Sequence, residues 1–241
     1  MLLCIDVGNS MTHYALFEGG ALVQKAVVAA GDPALPPFVS RASGVERVAV
    51  ASVAPGRAEA VREAVRRETG VEPLLAGKDF PIPVEARVEH PERVGADRLL
   101  NALAAFHRMR SACVVVDAGT AVTVDLVDGE GAFLGGAIAP GPKMMLAAMS
   151  QGAELLPEIE FAQPTSSVGR NTADAMRAGV FWGFVGLVDR LAREVAEASG
   201  TECRVVGAGG WMGLLAPRLP MIETVAPDLT LEGLALAVAE Q

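Results

Sequence analysis

Asp6-Val7-Gly8-Asn9-Ser10-Met11-Thr12 returns in the second half of the chain as Asp117-Ala118-Gly119-Thr120-Ala121-Val122-Thr123. Each copy follows a short apolar run, residues 2–5 in the first case and the valines 114–116 in the second. Such runs, bounded by turn residues, read as buried strands. Each copy then leads into a second strand, a turn (Glu18-Gly19-Gly20 or Asp128-Gly129-Glu130-Gly131) and a third strand. Chance supplies an isolated Asp-x-Gly readily. It rarely adds the same strand context, the same Asn/Thr slot, the same small residue and the same Thr. The repeat therefore predicts an α/β chain of two related lobes, over 1–110 and 111–241, with a ligand cleft between them.

Outward from these turns, the pattern predicts strands over 2–7, 12–17, 21–28, 45–53, 112–117, 123–127, 132–138 and 204–206. It predicts helices over 58–69, 97–110, 172–199 and 230–240, with Gly70 and Gly200 as stops. A Pro-rich loop is expected over 31–37 and an extended linker around Pro81 and Pro83. Residues 135–141 and 207–210 read as Gly-rich loops that follow strands, each permitting close backbone approach.

At 241 residues and 51% apolar composition the chain can bury a substantial core. Its net charge of −9, with no basic run, excludes ordinary nucleic-acid binding, which rests on Lys and Arg neutralising phosphates. Nucleotides are not excluded, because backbone N–H groups and a metal ion can hold phosphate. The three cysteines, Cys4, Cys113 and Cys203, are scattered in apolar runs and read as buried small hydrophobes. His13, His90 and His107 show no metal-ligand spacing. The first five residues lack a basic region and read as a strand, not a signal peptide. The apolar stretch 178–188 is too short to span a bilayer, so no membrane partner is expected and the location is read as cytoplasmic.

In each Asp-x-Gly turn the glycine lets the backbone turn tightly beside a ligand. Successive N–H groups there can face one phosphate, with Asn9 and Ser10, or Thr120, adding side-chain hydrogen bonds. An Asp beside phosphate makes sense with a cation between them. The other reading is a hairpin whose Asp accepts backbone N–H groups. Gly95-Ala96-Asp97-Arg98 opens a helix, and Asp97 reads either as a cap or as a carboxylate that takes the proton of an attacking hydroxyl. Arg98 is either a surface charge or the holder of an anionic acceptor. Gly169-Arg170-Asn171-Thr172 is a helix start capped by Asn171 or Thr172, whose N–H groups suit a carboxylate.

Taken together, these blocks resemble type III pantothenate kinase, of the acetate and sugar kinase/Hsc70/actin superfamily. The resemblance runs the whole length. Asp6-Val7-Gly8-Asn9-Ser10 and Asp117-Ala118-Gly119-Thr120-Ala121 carry the superfamily signal. Gly95-Ala96-Asp97-Arg98 and Gly169-Arg170-Asn171-Thr172 are more specific, and residues 134–141 and 229–234 add to them. The resemblance implies two ribonuclease-H-like lobes with mixed sheets flanked by helices, and phosphorylation of pantothenate by ATP at the start of coenzyme A synthesis. It implies that Asp6, Val7, Gly8, Asn9, Ser10, Met11, Thr12 and His13 line the ATP phosphates, with Asp6 near Mg²⁺. It implies that Asp97 is the general base. It implies that Val88, Gly95, Ala96, Asp97, Arg98 and Thr172 form the pantothenate site. It further implies that Asp117 binds a monovalent cation, K⁺ or NH₄⁺, that Thr120 touches ATP and that the chain forms a homodimer.

Val88 and His90 stand where the family often has Tyr and Asn, and Gly207-Ala208-Gly209-Gly210-Trp211 departs from the usual Thr-Gly-Gly. A lost tyrosine hydroxyl removes one donor, about 1 kcal/mol if it made a net hydrogen bond. These departures keep two other readings open: a binding protein whose transfer activity has decayed, and a kinase for another small hydroxylated substrate.

Overall fold

The computed structural model describes residues 1–32, 34–41 and 44–241, with the backbone alone for Arg41. Along the chain, β1 (Leu2–Val7), β2 (Met11–Glu18) and β3 (Ala21–Ala29) form an antiparallel meander. A short helix α1 (Pro37–Arg41) precedes β4 (Arg47–Ser52), which lies parallel to β1. Helix α2 (Pro55–Thr69) leads to β5 (Pro73–Leu75), parallel to β4. A 3-10 turn (Pro91–Arg93) and helix α3 (Ala96–Met109) follow. The pattern then repeats: β6 (Cys113–Ala118), β7 (Ala121–Val127) and β8 (Phe133–Pro140) are antiparallel. Helices α4 (Pro142–Gly152) and α5 (Thr172–Ala198) come next, then β9 (Arg204–Ala208), helix α6 (Met212–Leu215), β10 (Thr224–Val225) and helix α7 (Leu229–Ala239).

The sheets have the orders β3-β2-β1-β4-β5 and β10-β9-β6-β7-β8. In both, the first strand sits centrally, antiparallel to the second and parallel to the fourth. This is the duplication expected from the repeat, in the ribonuclease-H-like arrangement that the family resemblance implies. The central strands β1 and β6 are almost wholly buried, which is why they read as continuous apolar runs and not as alternations.

Helix boundaries follow local chemistry. Pro55 opens α2, where a missing N–H costs nothing, and Gly70 closes it in the left-handed region at φ 72°. Asn171 caps α5 by accepting a hydrogen bond from the Asp174 N–H, which decides between the two candidate caps. Phe181, Phe184 and Val188 on α5 are fully buried, each worth about 1.5–3 kcal/mol of transfer free energy. Among the described residues no helix is long and apolar enough to cross a membrane.

Several expectations need correction. Gly135 and Gly136 lie inside β8, not in a loop. Gly135 adopts φ 98° beside a bulge in β8, where Leu134 is the extra residue opposite Leu126 and Val127, and a Cβ on Gly136 would overlap the Val124 carbonyl oxygen at 2.1 Å. Gly207 likewise belongs to β9. In the Pro-rich loop, Pro33 lies outside the described residues and Pro37 already begins α1.

The overlay of the two Asp-x-Gly turns is also shifted. Asp6 pairs across the sheet with His13, whereas Asp117 pairs with Thr123. The first turn spans 8–10 and the second only 119–120, so Thr123 corresponds to His13 and not to Thr12. Finally, the chain divides into a unit of Met1–Arg108 with Asp228–Gln241 and a unit of Met109–Pro227. Helix α7 therefore belongs with the first sheet, not with the second half of the sequence. Leu231, Leu234 and Ala237 bury there with Cys4, Ala49 and Leu100. The Gly233 backbone lies so close to Leu100 that a Cβ would stand 2.0 Å from its carbonyl oxygen.

Candidate active site

In the first unit, Asp6 is the penultimate residue of β1, half-buried, flanked by His13 on β2 and Ala51 on β4. The Gly8 N–H closes the turn on the Met11 carbonyl at 3.0 Å, and a Cβ on Gly8 would stand 3.1 Å from that oxygen. Asn9, Ser10 and Met11 are exposed, while Val7 and Thr12 are buried. Val7 and Thr12 therefore offer a ligand little or no surface. His13 is half-buried, and burial holds its pKa below the usual value, against the pull of Asp228 and with the push of Lys25. Lys25 and Asp228 form an ion pair at 2.8 Å that the sequence reading missed, since it joins β3 to the residue before α7.

Asp97 lies in the first turn of α3, where a carboxylate suits the helix dipole. Its Oδ1 accepts the Arg98 N–H at 2.9 Å. Burial pushes its pKa above the ordinary carboxylate value, opposed by that N–H and by the Arg98 charge. Gly95 is explained by the same geometry: a Cβ there would meet Asp97 Oδ1 at 2.4 Å and Val53 Cγ1 at 4.0 Å. The Val53 N–H in turn reaches the Val7 carbonyl at 3.4 Å. Asp97 and the Asp6 turn thus share the end of the sheet where β1 and β4 finish. Ala96 and Arg98 flank Asp97 in the same helical turn, and Val88 is half-buried in the irregular stretch before the 3-10 turn.

In the second unit, Asp117 is half-buried and Thr120 exposed. The Gly119 N–H closes the turn on the Ala121 carbonyl at 2.9 Å, and the Gly141 N–H donates to the Thr120 carbonyl at 3.1 Å. Gly209, at φ 88°, brings its backbone so close that a Cβ would lie 2.4 Å from Asp117 Oδ1 and 2.5 Å from the Ala118 carbonyl oxygen. The Asp117 carboxylate and the Ala118 carbonyl are hard oxygen donors, which suit a hard cation better than a soft metal. Asp6 offers a single carboxylate, which fits Mg²⁺ only as the ion usually travels, with phosphate and water as its other ligands.

Thr172, the exposed first residue of α5, lines an apolar pocket of about 570 Å³ with Met145, Met149, Leu156, Met176 and Val180. The preceding Gly169 must lack a side chain, because a Cβ would overlap the Ala175 nitrogen at 2.1 Å. The Gly-x-Asn-Thr block is therefore a helix cap folded back on its own first turn. Asp6, Asn9, Gly95 and Asp97 fall in one unit, and Asp117, Thr120 and Thr172 in the other.

Comparison with known proteins fits these blocks. A family model for type III pantothenate kinase matches residues 2–194. A type III pantothenate kinase of Anaeromyxobacter dehalogenans is 37% identical over 98% of this chain and 98% of its own. Among solved structures, a conserved Campylobacter jejuni protein assigned to the Baf family of transcriptional activators superposes with TM-score 0.62 at 21% identity, covering 99% of this chain and 98% of that one. A Sinorhizobium meliloti protein assigned as a 2-dehydro-3-deoxygalactonokinase superposes with TM-score 0.56 at 13% identity, covering 100% and 99%. At such identities the structural likeness speaks for a shared fold alone. The full-length sequence match speaks for more: this chain belongs to the type III pantothenate kinase family.

Proposed function

We propose that this chain transfers the γ-phosphoryl group of ATP to the primary hydroxyl of pantothenate, giving 4'-phosphopantothenate for coenzyme A synthesis. The observation that carries the reading is Asp97, a carboxylate made more basic by burial and left its position by Gly95, at the strand end that also carries the Asp6 turn. A general base works best when its pKa is raised toward the working pH. Asp97 accepts the hydroxyl proton as the oxygen attacks phosphorus, and Arg98 and Thr172 hold the acceptor. Val88, Gly95 and Ala96 complete its site. Residues 6–13 and Thr120 hold ATP, whose Mg²⁺ sits near Asp6. When bound, the cations would neutralise charge on the phosphate oxygens, one part of the electrostatic stabilisation on which phosphoryl transfer depends. Asp117 and the Ala118 carbonyl are the residues that would hold K⁺ or NH₄⁺. Homodimerisation, which rests on the family resemblance, and a cytoplasmic setting belong to the same proposal.

The test is an acceptor panel. Purified protein is incubated with Mg-ATP and pantothenate, or with hexoses and small hydroxy acids, in K⁺ and in Na⁺. We expect ADP release that depends on pantothenate and is faster in K⁺. Release driven by another acceptor, or by none, would overturn the assignment.

A further inference from the structure

The first turn carries a feature that the family motif does not assign. Arg57, half-buried in the first turn of α2, directs its guanidinium at the turn: Nη1 donates to the Asn9 carbonyl at 3.0 Å and Nη2 to the Gly8 carbonyl. The neighbouring carbonyls are occupied as well. The Val7 oxygen accepts from the Val53 N–H and, at 3.3 Å, from Ser52 Oγ. The Ser10 oxygen accepts from the Ala30 N–H at 2.9 Å, and the Met11 oxygen accepts from Gly8. Every carbonyl over 7–11 is thus engaged, and the two at the tip of the turn are engaged by Arg57.

The peptide plane gives this a consequence. A trans peptide sets its C=O and the following N–H on opposite sides. Holding the Gly8 and Asn9 oxygens toward α2 therefore points the Asn9 and Ser10 N–H groups the other way, to the exposed side of the turn. A carbonyl flipped outward would repel an anion there, and an N–H attracts one. The guanidinium also adds a fixed positive charge behind the turn. In the second unit the Thr120 carbonyl, at the tip of the turn, takes a neutral backbone N–H, from Gly141. In the first turn the group on the carbonyl side is a cation.

We propose that Arg57 is a positioning residue that presets the 8–10 turn for the phosphates of the nucleotide. The proposal rests on the reading of that turn as a phosphate site. It is tested with a non-hydrolysable ATP analogue and Mg²⁺, by calorimetry without acceptor, on wild type, Arg57→Met and Arg57→Lys, together with KM for ATP and for pantothenate. Arg57→Met keeps the stem and loses the donors and the charge. Its affinity for the analogue and its KM for ATP should worsen about tenfold, equivalent to about 1.4 kcal/mol, with KM for pantothenate within twofold of wild type. Arg57→Lys should fall between the two, about threefold weaker than wild type. Equal nucleotide affinity in wild type and Arg57→Met overturns the role of Arg57. So does a loss of melting temperature with an unchanged KM for ATP, which marks a purely structural residue. Failure of the wild type to bind the analogue overturns the phosphate reading itself, a different result. If Arg57→Met does not fold, Arg57→Lys decides: an affinity equal to wild type refutes the proposal, and the threefold loss supports it.

Discussion

Replacing Gly95 by alanine tests whether the position of the Asp97 carboxylate, and not only its presence, sets the rate. The new Cβ would stand 2.4 Å from Asp97 Oδ1, whereas ordinary contact begins at 3.4 Å, so the carboxylate must retreat by about 1 Å. Nothing else obstructs the methyl group, since Val53 Cγ1 at 4.0 Å is already at contact distance. The backbone is no obstacle, because Gly95 is not among the glycines with positive φ. Alanine there should leave stability unchanged or raise it by about 0.4–1 kcal/mol through the unfolded chain. A 1 Å misplacement of a reacting group costs on the order of 100-fold, which is about 2.7 kcal/mol of barrier. Coupled assay of ADP release should therefore show kcat down about 100-fold, with KM for ATP near wild type and an intact thermal transition. A kcat within threefold of wild type in the folded variant would refute the reasoning. A loss of rate matched by a loss of stability would reassign Gly95 to packing.

Because burial raises the pKa of Asp97, the acid limb of kcat/KM should fall above the ordinary carboxylate value of 3.8; a limb at or below 3.8 would contradict a desolvated base. The sign for stability follows: the folded chain binds this proton at higher pH than the unfolded one, so the carboxylate weakens the fold as pH rises from 3.8 through the folded pKa. Asp97→Asn should thus raise the melting temperature at neutral pH, and a lowered one would speak against the desolvation. Gly233→Ala would place a Cβ 2.0 Å from the Leu100 carbonyl oxygen and 2.6 Å from its carbon, forcing α7 off α3. Urea unfolding should show a loss of at least about 2 kcal/mol, and a change below about 0.5 kcal/mol would mean that the helices do not pack this closely.

Much of the fold was legible because the central strands are unbroken apolar runs and the repeat announces itself in short motifs. What escaped was short or relational. β5 and β10 are too brief to show a period and exist because a neighbouring strand pairs with them. Helix α7 is apolar enough to suit either sheet, and only packing against Leu100 and Cys4 places it in the first unit. The offset between the two turns was hidden because Asp-to-Thr spacing matches in sequence while the strand register does not. In the site, Asp97 stood out as a carboxylate in a motif, but the reason for Gly95 is a side chain that folds back over it. Gly209 likewise makes sense only beside Asp117. Arg57 left no signal, since its partners lie far away in sequence and its segment carries no motif.

The central claim is that the chain phosphorylates pantothenate with Asp97 as base. The most direct measurement is mass-spectrometric detection of 4'-phosphopantothenate formed by purified wild type and by Asp97→Asn, with Mg-ATP, K⁺ and pantothenate. Asparagine keeps the size and the acceptor oxygen for the Arg98 N–H but cannot take a proton. The account predicts product from wild type and a rate lower by at least about 100-fold, the lower end of the range for general base catalysis, from a fully folded Asp97→Asn. Near-normal product formation by Asp97→Asn, or none by wild type, would contradict it.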